Sequence, residues 1–337
     1  MSELPLFPSE PIHLTVEARA HGWRVDHYLC RLYPNYSRAQ FQRAIEEEAI
    51  LLNGLPVRNA RRLRVNDTLS VRLPAAPDES VAAEDIPLDV LYEDEALVVI
   101  NKPADMIVHP GKGNYGGTLA AALQFHFDDL SDVAGKFRPG IVHRLDRDTT
   151  GVILIAKDNQ VHHRLSSQFE QREVTKEYRG LVWGQVSYDS DWIETHIRVN
   201  PKVREKMQVC EPGGNARDAV TQYEVLERFS RASWVRLLPK TGRTHQLRVH
   251  MSHLGHPMLA DSLYGGRKEV TEADLDERLP KTNSRVLIQR QALHALRLCF
   301  KHPVSGKPME FEAPLPPDML TTLEFLRTTQ DQTGPSR

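Results

Sequence analysis

Charge falls along this chain in blocks, and the blocks constrain its fold more than the totals do. Residues 19–73 hold ten arginines and no lysine, against five acids. Residues 74–95 hold eight acids and no lysine or arginine. The pattern reads as a small basic module, an acidic tether and a larger body. A net charge of −2 over 337 residues hides this division. Local positive fields, not net charge, attract a polyanion, so the first module is expected to meet nucleic acid.

Residues 1–23 read as a leader in which Ile12, Leu14 and Val16 alternate as in a short strand. The basic module spans residues 24–73. Val25, Leu29 and Leu32 recur at helical spacing until Pro34 breaks the helix. Ser37 is an N-cap candidate for a second helix carrying Phe41, Ala44 and Ile45. Ile50-Leu51-Leu52, Asn53-Gly54 and Leu55-Pro56-Val57 predict a hairpin turned at Asn-Gly. Val65 and Leu69-Ser70-Val71 supply a last strand after the turn Asn66-Asp67. Residues 74–87 read as a flexible acidic linker. The body spans 88–327, with helices expected at 118–127, 159–172, 244–254 and 317–327. Strands are expected at 97–100, 176–182, 192–199, 219–227, 233–238, 292–300 and 309–312. Residues 268–285 are charged and non-periodic, which predicts a surface insertion, and 328–337 predict a disordered tail. Mixed strands with segregated helices make an α+β body on a largely antiparallel sheet.

The strand-like run Val152-Ile153-Leu154-Ile155-Ala156 follows a polar segment in which Asp146 lies between Arg144 and Arg147. A rigid strand is a good mount for a catalytic side chain, and a neighbouring cation keeps a carboxylate ionised. The string His143-Arg144-Leu145-Asp146-Arg147-Asp148-Thr149-Thr150-Gly151 resembles the H-R-L-D-x-x-T-[ST]-G motif of the RluA/RluD-type pseudouridine synthases. In that family the Asp is the catalytic residue that attacks a uridine in RNA. Thr175-Lys176-Glu177-Tyr178-Arg179-Gly180 resembles the family's K-x-Y motif, and implies that Tyr178 lies against the uracil ring and helps move the C5 proton. Thr241-Gly242-Arg243-Thr244-His245-Gln246-Leu247-Arg248-Val249-His250 resembles G-R-T-H-Q-[IL]-R-x-H. An arginine of that motif is implied to pair with the catalytic Asp, with Arg248 favoured over Arg243; the other is left to grip RNA phosphate.

The same resemblance implies further residues. Lys102 in Asn101-Lys102-Pro103 and His109 in His109-Pro110-Gly111 are expected to shape the pocket floor or contact RNA. Leu296 is an apolar wall of the uracil site or plain core. Arg144, next to Asp146, is placed to fill the stack vacated when the target uridine is flipped out or to hold the flipped backbone. Asp148 invites reading as the second acid of a glycosidase pair, but the motif gives the role to Asp146 and leaves Asp148 structural.

The basic module is similar to the S4-type RNA-binding module at Arg24-Val25-Asp26, Ser37-Arg38, Leu52-Asn53-Gly54 and Asn66-Asp67. It implies RNA contacts from Arg24, Arg38, Asn53, Arg58, Arg61 and Arg62. Family members usually carry glycine or another small turn residue near Glu48-Ala49, where this chain has an acidic run.

Isomerising uridine to pseudouridine oxidises nothing and imports no group, so no cofactor and no metal is expected. His245, His250, His253 and His256 invite a zinc reading, yet no cysteine or carboxylate completes a set. Cys30, Cys210 and Cys299 form no C-x-x-C pair, which fits a reducing cytoplasm. No apolar run approaches the ~20 residues that span a bilayer, and residues 1–5 have no secretory character. The expected protein is a monomeric cytoplasmic isomerase. Glu84-Asp85-Ile86-Pro87-Leu88-Asp89 and Tyr92-Glu93-Asp94-Glu95, with the central motifs, look most like the branch acting on large-subunit ribosomal RNA. Transfer RNA is the alternative substrate, and a non-catalytic RNA-binding or ribosome-assembly protein the alternative class.

Overall fold

Asn53 and Gly54 both adopt positive φ, at 52° and 77°, as a two-residue hairpin turn of matching twist requires. The turn joins β2 (Ile50–Leu52) to β3 (Leu55–Pro56) within the first of two units, Met1–Ser80 and Val81–Arg337. The computed structural model describes residues 10–33, 36, 38–73, 82–111, 116–134 and 138–331. Ser37, the N-cap candidate, lies outside them, as do residues 74–81 of the linker and 332–337 of the tail. Among the described residues no helix is long and apolar enough to cross a membrane.

In the first unit α1 (Val25–Leu32) and α2 (Arg38–Glu46) pack on a four-stranded antiparallel sheet. Val25, Leu29, Phe41, Ala44 and Ile45 meet Ile50, Leu52, Leu69 and Val71 in its core. β1 (Ile12–Thr15) pairs with β4 (Thr68–Val71), and Val16 and Ala20 are buried in the same core. The short strand expected from Ile12, Leu14 and Val16 is thus present, and residues 12–20 belong to this unit rather than to a leader. At the acidic run, Glu48 has φ 57°, the left-handed conformation that glycine adopts without a side-chain penalty.

Asp26 is the electrostatic centre of this unit. Its side chain is fully buried and accepts from Arg24 Nε at 3.0 Å, Arg38 Nε at 2.8 Å and Gln42 Nε2 at 2.7 Å. Burial alone would raise its pKa, but the bonds from Arg24, Gln42 and Arg38 overcome that and hold the carboxyl well below the usual carboxylate range. The folded unit thus binds this proton more weakly than the unfolded chain. The stabilisation is complete above the unfolded value of about 4 and is lost as pH falls towards the folded value. Hydrogen exchange should show the amides of α1 and β4 losing protection between about pH 5 and pH 3. Asp26→Asn should lower protection at neutral pH and flatten this dependence. An unchanged acid profile in that variant would count against the account.

The second unit is built on a ten-stranded sheet. Its strands are β5 (Asp89–Glu93), β6 (Leu97–Lys102), β7 (Thr150–Ala156), β8 (Thr175–Trp183), β9 (Ser190–Val199), β10 (Met207–Cys210), β11 (Arg217–Arg228), β12 (Ala232–Pro239), β15 (Leu293–Lys301) and β16 (Pro308–Glu312). They run in the order β10-β9-β11-β12-β8-β15-β7-β6-β5, with β16 also on β15. Every pairing is antiparallel except β15 with β7. The helices are α3 (Leu119–His126), α4 (Asn159–Glu170), α5 (Gln246–His253), the short α6 (Glu272–Leu275) and α7 (Pro317–Asp331). A small ribbon, β13 (Val270–Thr271) with β14 (Val286–Ile288), leads into and out of α6. The α+β class and the largely antiparallel sheet agree with the sequence.

Three expectations change. Glu84 and Ile86, read as linker, are tied to the body: Glu84 N donates to Ala121 O at 3.1 Å, and His126 Nε2 meets Ile86 O at 2.8 Å. Residues 268–285 are not a surface insertion alone, because Val270 and Leu275 enter the core beneath α7; so few apolar positions among charges leave no periodicity to read. The last helix continues to Asp331 and so takes in part of the segment read as a tail.

The β15–β7 crossing fixes the site. Gly151 has φ 112°, and a Cβ there would lie 2.1 Å from the carbonyl oxygen of Ala295. Only glycine lets the strand carrying the Asp146 loop approach β15 this closely. Beside it, Thr150 Oγ1 and His294 Nδ1 are 2.8 Å apart. Gly151→Ala should cost about 1–3 kcal/mol of stability through backbone strain and overpacking, read as a lowered melting temperature. A variant that melts like the parent would contradict the close approach.

Candidate active site

The loop before β7 turns tightly, with Thr149 N donating to Asp146 O at 3.1 Å. Leu145 is buried in the core, which anchors the loop and leaves the Asp146 carboxylate at the surface of a cavity. That cavity has a volume of about 530 Å³, within the range of nucleoside-sized sites. Asp146, Tyr178, Arg248, Arg144 and Arg243, drawn from three separate motifs between residues 143 and 250, all line it.

Arg248, on α5, donates through Nη1 to Asp146 Oδ2 at 3.1 Å. Neither sequence neighbour of Asp146 fills that role. Arg147 turns away to Asp105, with Nε donating at 2.7 Å. Arg144 is exposed on the cavity rim. Arg243 donates its Nε to Asp218 O at 2.9 Å and remains exposed.

Arg248 is held from behind by a second carboxylate that the sequence reading missed. Asp261 accepts from Nε at 2.6 Å and from Nη2 at 2.9 Å. It also accepts from the backbone N–H groups of Leu263 and Tyr264, each at 3.0 Å. The guanidinium is thus gripped bidentately by one acid and presents its remaining nitrogen to the other. Burial works against the charge on Arg248, but Asp261 and Asp146 more than offset it and push its pKa up. The guanidinium also lies 5.0 Å from the ring centroid of Tyr264. His245, in the left-handed conformation at φ 55°, places Nε2 3.9 Å from Asp146 Oδ1 and Nδ1 3.0 Å from Tyr264 Oη. The helix begins at Gln246, two residues later than expected, because this turn is closed by side chains. Gln246 Oε1 accepts from Thr241 Oγ1 at 2.8 Å and Arg243 N at 3.0 Å.

Tyr178 projects from β8, packed against the core beside Ala295. Burial, then the charge of Asp146, pushes its phenol well above the ordinary range. It therefore stays protonated, suited to stacking and to relaying a proton rather than to acting as an anionic base. His143 stacks on Phe169 at 4.8 Å and accepts from Leu154 N through Nε2 at 2.9 Å. Burial and then Lys176 push its pKa down to about 3.

Several expected residues lie elsewhere. Lys102 is fully buried and donates to the carbonyls of Pro103 (2.7 Å), Met106 (2.9 Å) and Arg147 (2.9 Å). It supports the Asp146 loop from below and is out of reach of RNA. Burial pushes its pKa down to about 7, against the pull of Asp148 and Asp146. His109 is half-buried and does not line the cavity; burial, then Arg138 and Arg144, push it down to about 4. Leu296, the extra residue at a bulge between Ala295 and Arg297, is buried as plain core, the second of its two expected roles, and β15 contributes Leu293 to the cavity wall. Asp148 accepts from Asp105 N at 3.3 Å and its carbonyl from Arg290 at 3.0 Å. His250 spends its two nitrogens on Thr195 and Thr221, each at 2.9 Å, and His256 faces the Trp183 carbonyl at 2.8 Å. Among the described residues no group of His, Cys, Asp and Glu could hold a metal ion.

In the first unit the six residues expected at RNA divide in two. Arg24 and Arg38 are shared with Asp26, and Asn53 spends its carboxamide on Asp67 and Thr68. Arg58, Arg61 and Arg62 are exposed, with Arg62 donating to Gly22 O at 2.8 Å.

Comparison with known proteins finds relatives along nearly the whole chain. The family model described as RNA pseudouridylate synthase matches residues 96–253, and that of the S4 domain matches 23–69. A protein of Chlorobaculum parvum described as an uncharacterized RNA pseudouridine synthase is 42% identical over 308 residues, covering 90% of this chain and 94% of the relative. The ribosomal large subunit pseudouridine synthase D of Escherichia coli O157:H7 is 38% identical, covering 93% of each chain. That of Pasteurella multocida is 38% identical, covering 91% of this chain and 92% of the relative. Among solved structures, human RNA Pseudouridylate Synthase Domain Containing 4 superposes with a TM-score of 0.54 at 29% identity, covering 71% of this chain and 93% of that one.

Proposed function

This chain belongs to the RNA pseudouridine synthase family, and on that premise we propose that it isomerises uridine in large-subunit ribosomal RNA, with Asp146 acting on the ribose. The pairing of Asp146 with a doubly held Arg248 at the wall of a nucleoside-sized cavity carries this reading. Relatives named for the ribosomal large subunit, similar along nearly the whole chain, favour that RNA over transfer RNA.

The reaction follows from the groups present. A uridine inside folded RNA is swung out of its stack at a cost of about a few kcal/mol. Arg144, exposed on the rim, fills the gap or holds the displaced backbone, and Arg243 takes a phosphate. Asp146 then acts on the sugar, by bonding to C1′ or by taking the C2′ proton, as the C1′–N1 bond breaks. Tyr178 keeps the freed uracil flat in the cavity while it turns, so that C5 reaches C1′. C5 forms the new bond and gives up its proton, and N1 gains one. Composition is unchanged, so this cycle needs no cofactor. The first unit adds affinity through Arg58, Arg61 and Arg62, a sequence-independent contribution that weakens with salt. We place the protein in the cytoplasm as a monomer.

Purified protein incubated with large-subunit ribosomal RNA carrying tritium at uridine C5 should release tritium to water. The product should contain pseudouridine and no free uracil. Release of uracil, or cleavage of the RNA chain, would overturn the reading.

A further inference from the structure

We propose that Lys176 is a second catalytic residue, whose ammonium binds a carbonyl oxygen of the uracil and stabilises the negative charge the ring acquires when the glycosidic bond breaks. The inference rests on the pseudouridine synthase reading and names a group beyond it. Lys176 and Tyr178 are two residues apart on β8, where side chains alternate, so both face the cavity and both line it. Glu177 between them faces away and is taken by Arg179, Arg236 and Arg297. It is no counter-ion for Lys176.

Among the described residues, Lys176 has no hydrogen-bond or ion-pair partner. Its Nζ lies by the Gly242 turn, where a methyl group added to that glycine would sit 3.7 Å away. His143, beside it, is held neutral and offers no charge. Burial disfavours the ammonium and lowers its pKa. A desolvated cation with three unused donors in a nucleoside-sized cavity calls for a ligand with anionic oxygens.

Two ligands could meet that need, a phosphate or the base. Position favours the base. Exposed Arg144, Arg172 and Arg243 already surround the cavity rim for phosphates. Lys176 instead shares the strand face of Tyr178, the side chain that lies against the ring. Asp146 acts electrostatically on Tyr178, the neighbouring position of that strand face. Carboxylate then serves the sugar, phenol the ring and ammonium an oxygen of that ring.

The electron balance gives the cation its task. When C1′–N1 breaks, both electrons stay on N1, and the charge spreads over the ring to O2 and O4. Lys176 donates a hydrogen bond to one of these oxygens while the ring turns. The charge is consumed as C5 bonds to C1′, the C5 proton leaves and N1 is protonated. The ammonium begins and ends the cycle protonated. A preorganised donor of this kind contributes most in a site shielded from water.

The test uses full-length protein and two ribosomal RNA transcripts, one normal and one made with 5-fluorouridine. Lys176→Met and Lys176→Gln should slow single-turnover loss of uridine at saturating enzyme about 10²-fold, measured by nuclease digestion and mass spectrometry. RNA affinity and its salt dependence should match the parent, and Lys176→Arg should recover part of the rate. Fluorine withdraws electrons and makes the base a better leaving group, so the penalty should shrink on 5-fluorouridine. Weakened affinity with a reduced salt slope and an unchanged saturated rate would overturn the proposal in favour of a phosphate ligand. So would equal penalties on both transcripts, or no effect in a variant that melts like the parent. If the parent itself is inactive on normal transcript, the ribosomal reading fails instead.

Discussion

Asp146→Asn should abolish pseudouridine formation while leaving the protein folded and bound to RNA. The amide keeps the shape of the carboxylate and can still accept from Arg248, so the loop closed by Leu145 and Thr149 should stand. What disappears is the negative charge at the sugar, which neither route through C1′ nor through C2′ can spare. Removing a residue of this kind typically lowers kcat by about 10⁴-fold or more. RNA affinity should stay within a few-fold of the parent, because phosphate contacts, not Asp146, supply most of it. Tritium release under single-turnover conditions and filter binding of the same preparation read the two quantities separately. A variant that retains even a tenth of the parent rate would remove Asp146 from the chemistry.

Arg248→Met should cost both activity and stability, for separable reasons. The activity loss follows from the bond to Asp146, which positions the acid at the cavity wall. Loss of one positioned charged donor is worth about 10²–10³-fold. The stability loss comes from Asp261, whose side chain is fully buried and would be left as an uncompensated charge. Breaking a buried pair in this way costs about 3–5 kcal/mol. The double variant Arg248→Met with Asp261→Asn should therefore recover much of the melting temperature while staying inactive. Recovery of activity along with stability would mean that Arg248 acts only through the fold.

The residues that the sequence made legible were those whose meaning is carried by short, contiguous strings. Asp146, Tyr178 and Arg248 each sit in one, and the cavity unites them. Asp261 could not be read, because its importance lies in a contact with Arg248 across a turn, and nothing beside it marks an isolated acid as a partner. Lys102 was legible only in part. Its motif left pocket floor and RNA contact both open, and only the folded chain reveals the three carbonyls that enclose it. Leu296 could not be assigned between pocket wall and core, because the bulge that turns it away from the cavity leaves no mark in the sequence. Arg147 is adjacent to Asp146 in sequence yet pairs with Asp105, because a tight turn sends neighbouring side chains apart. The same limits apply to the fold. Long strands with clear alternation were legible, whereas β13 and α6 are too short to show a period.

If the Asp146 carboxylate drives uridine isomerisation in ribosomal RNA, its loss must erase pseudouridine from that RNA. The most direct test maps pseudouridines by carbodiimide modification and primer extension on large-subunit RNA from cells lacking this gene. The cells are complemented with either the parent or Asp146→Asn, expressed at equal levels. One or more carbodiimide stops should vanish on deletion, return with the parent and stay absent with the variant. Stops that survive deletion, or that return equally with both proteins, would contradict the account.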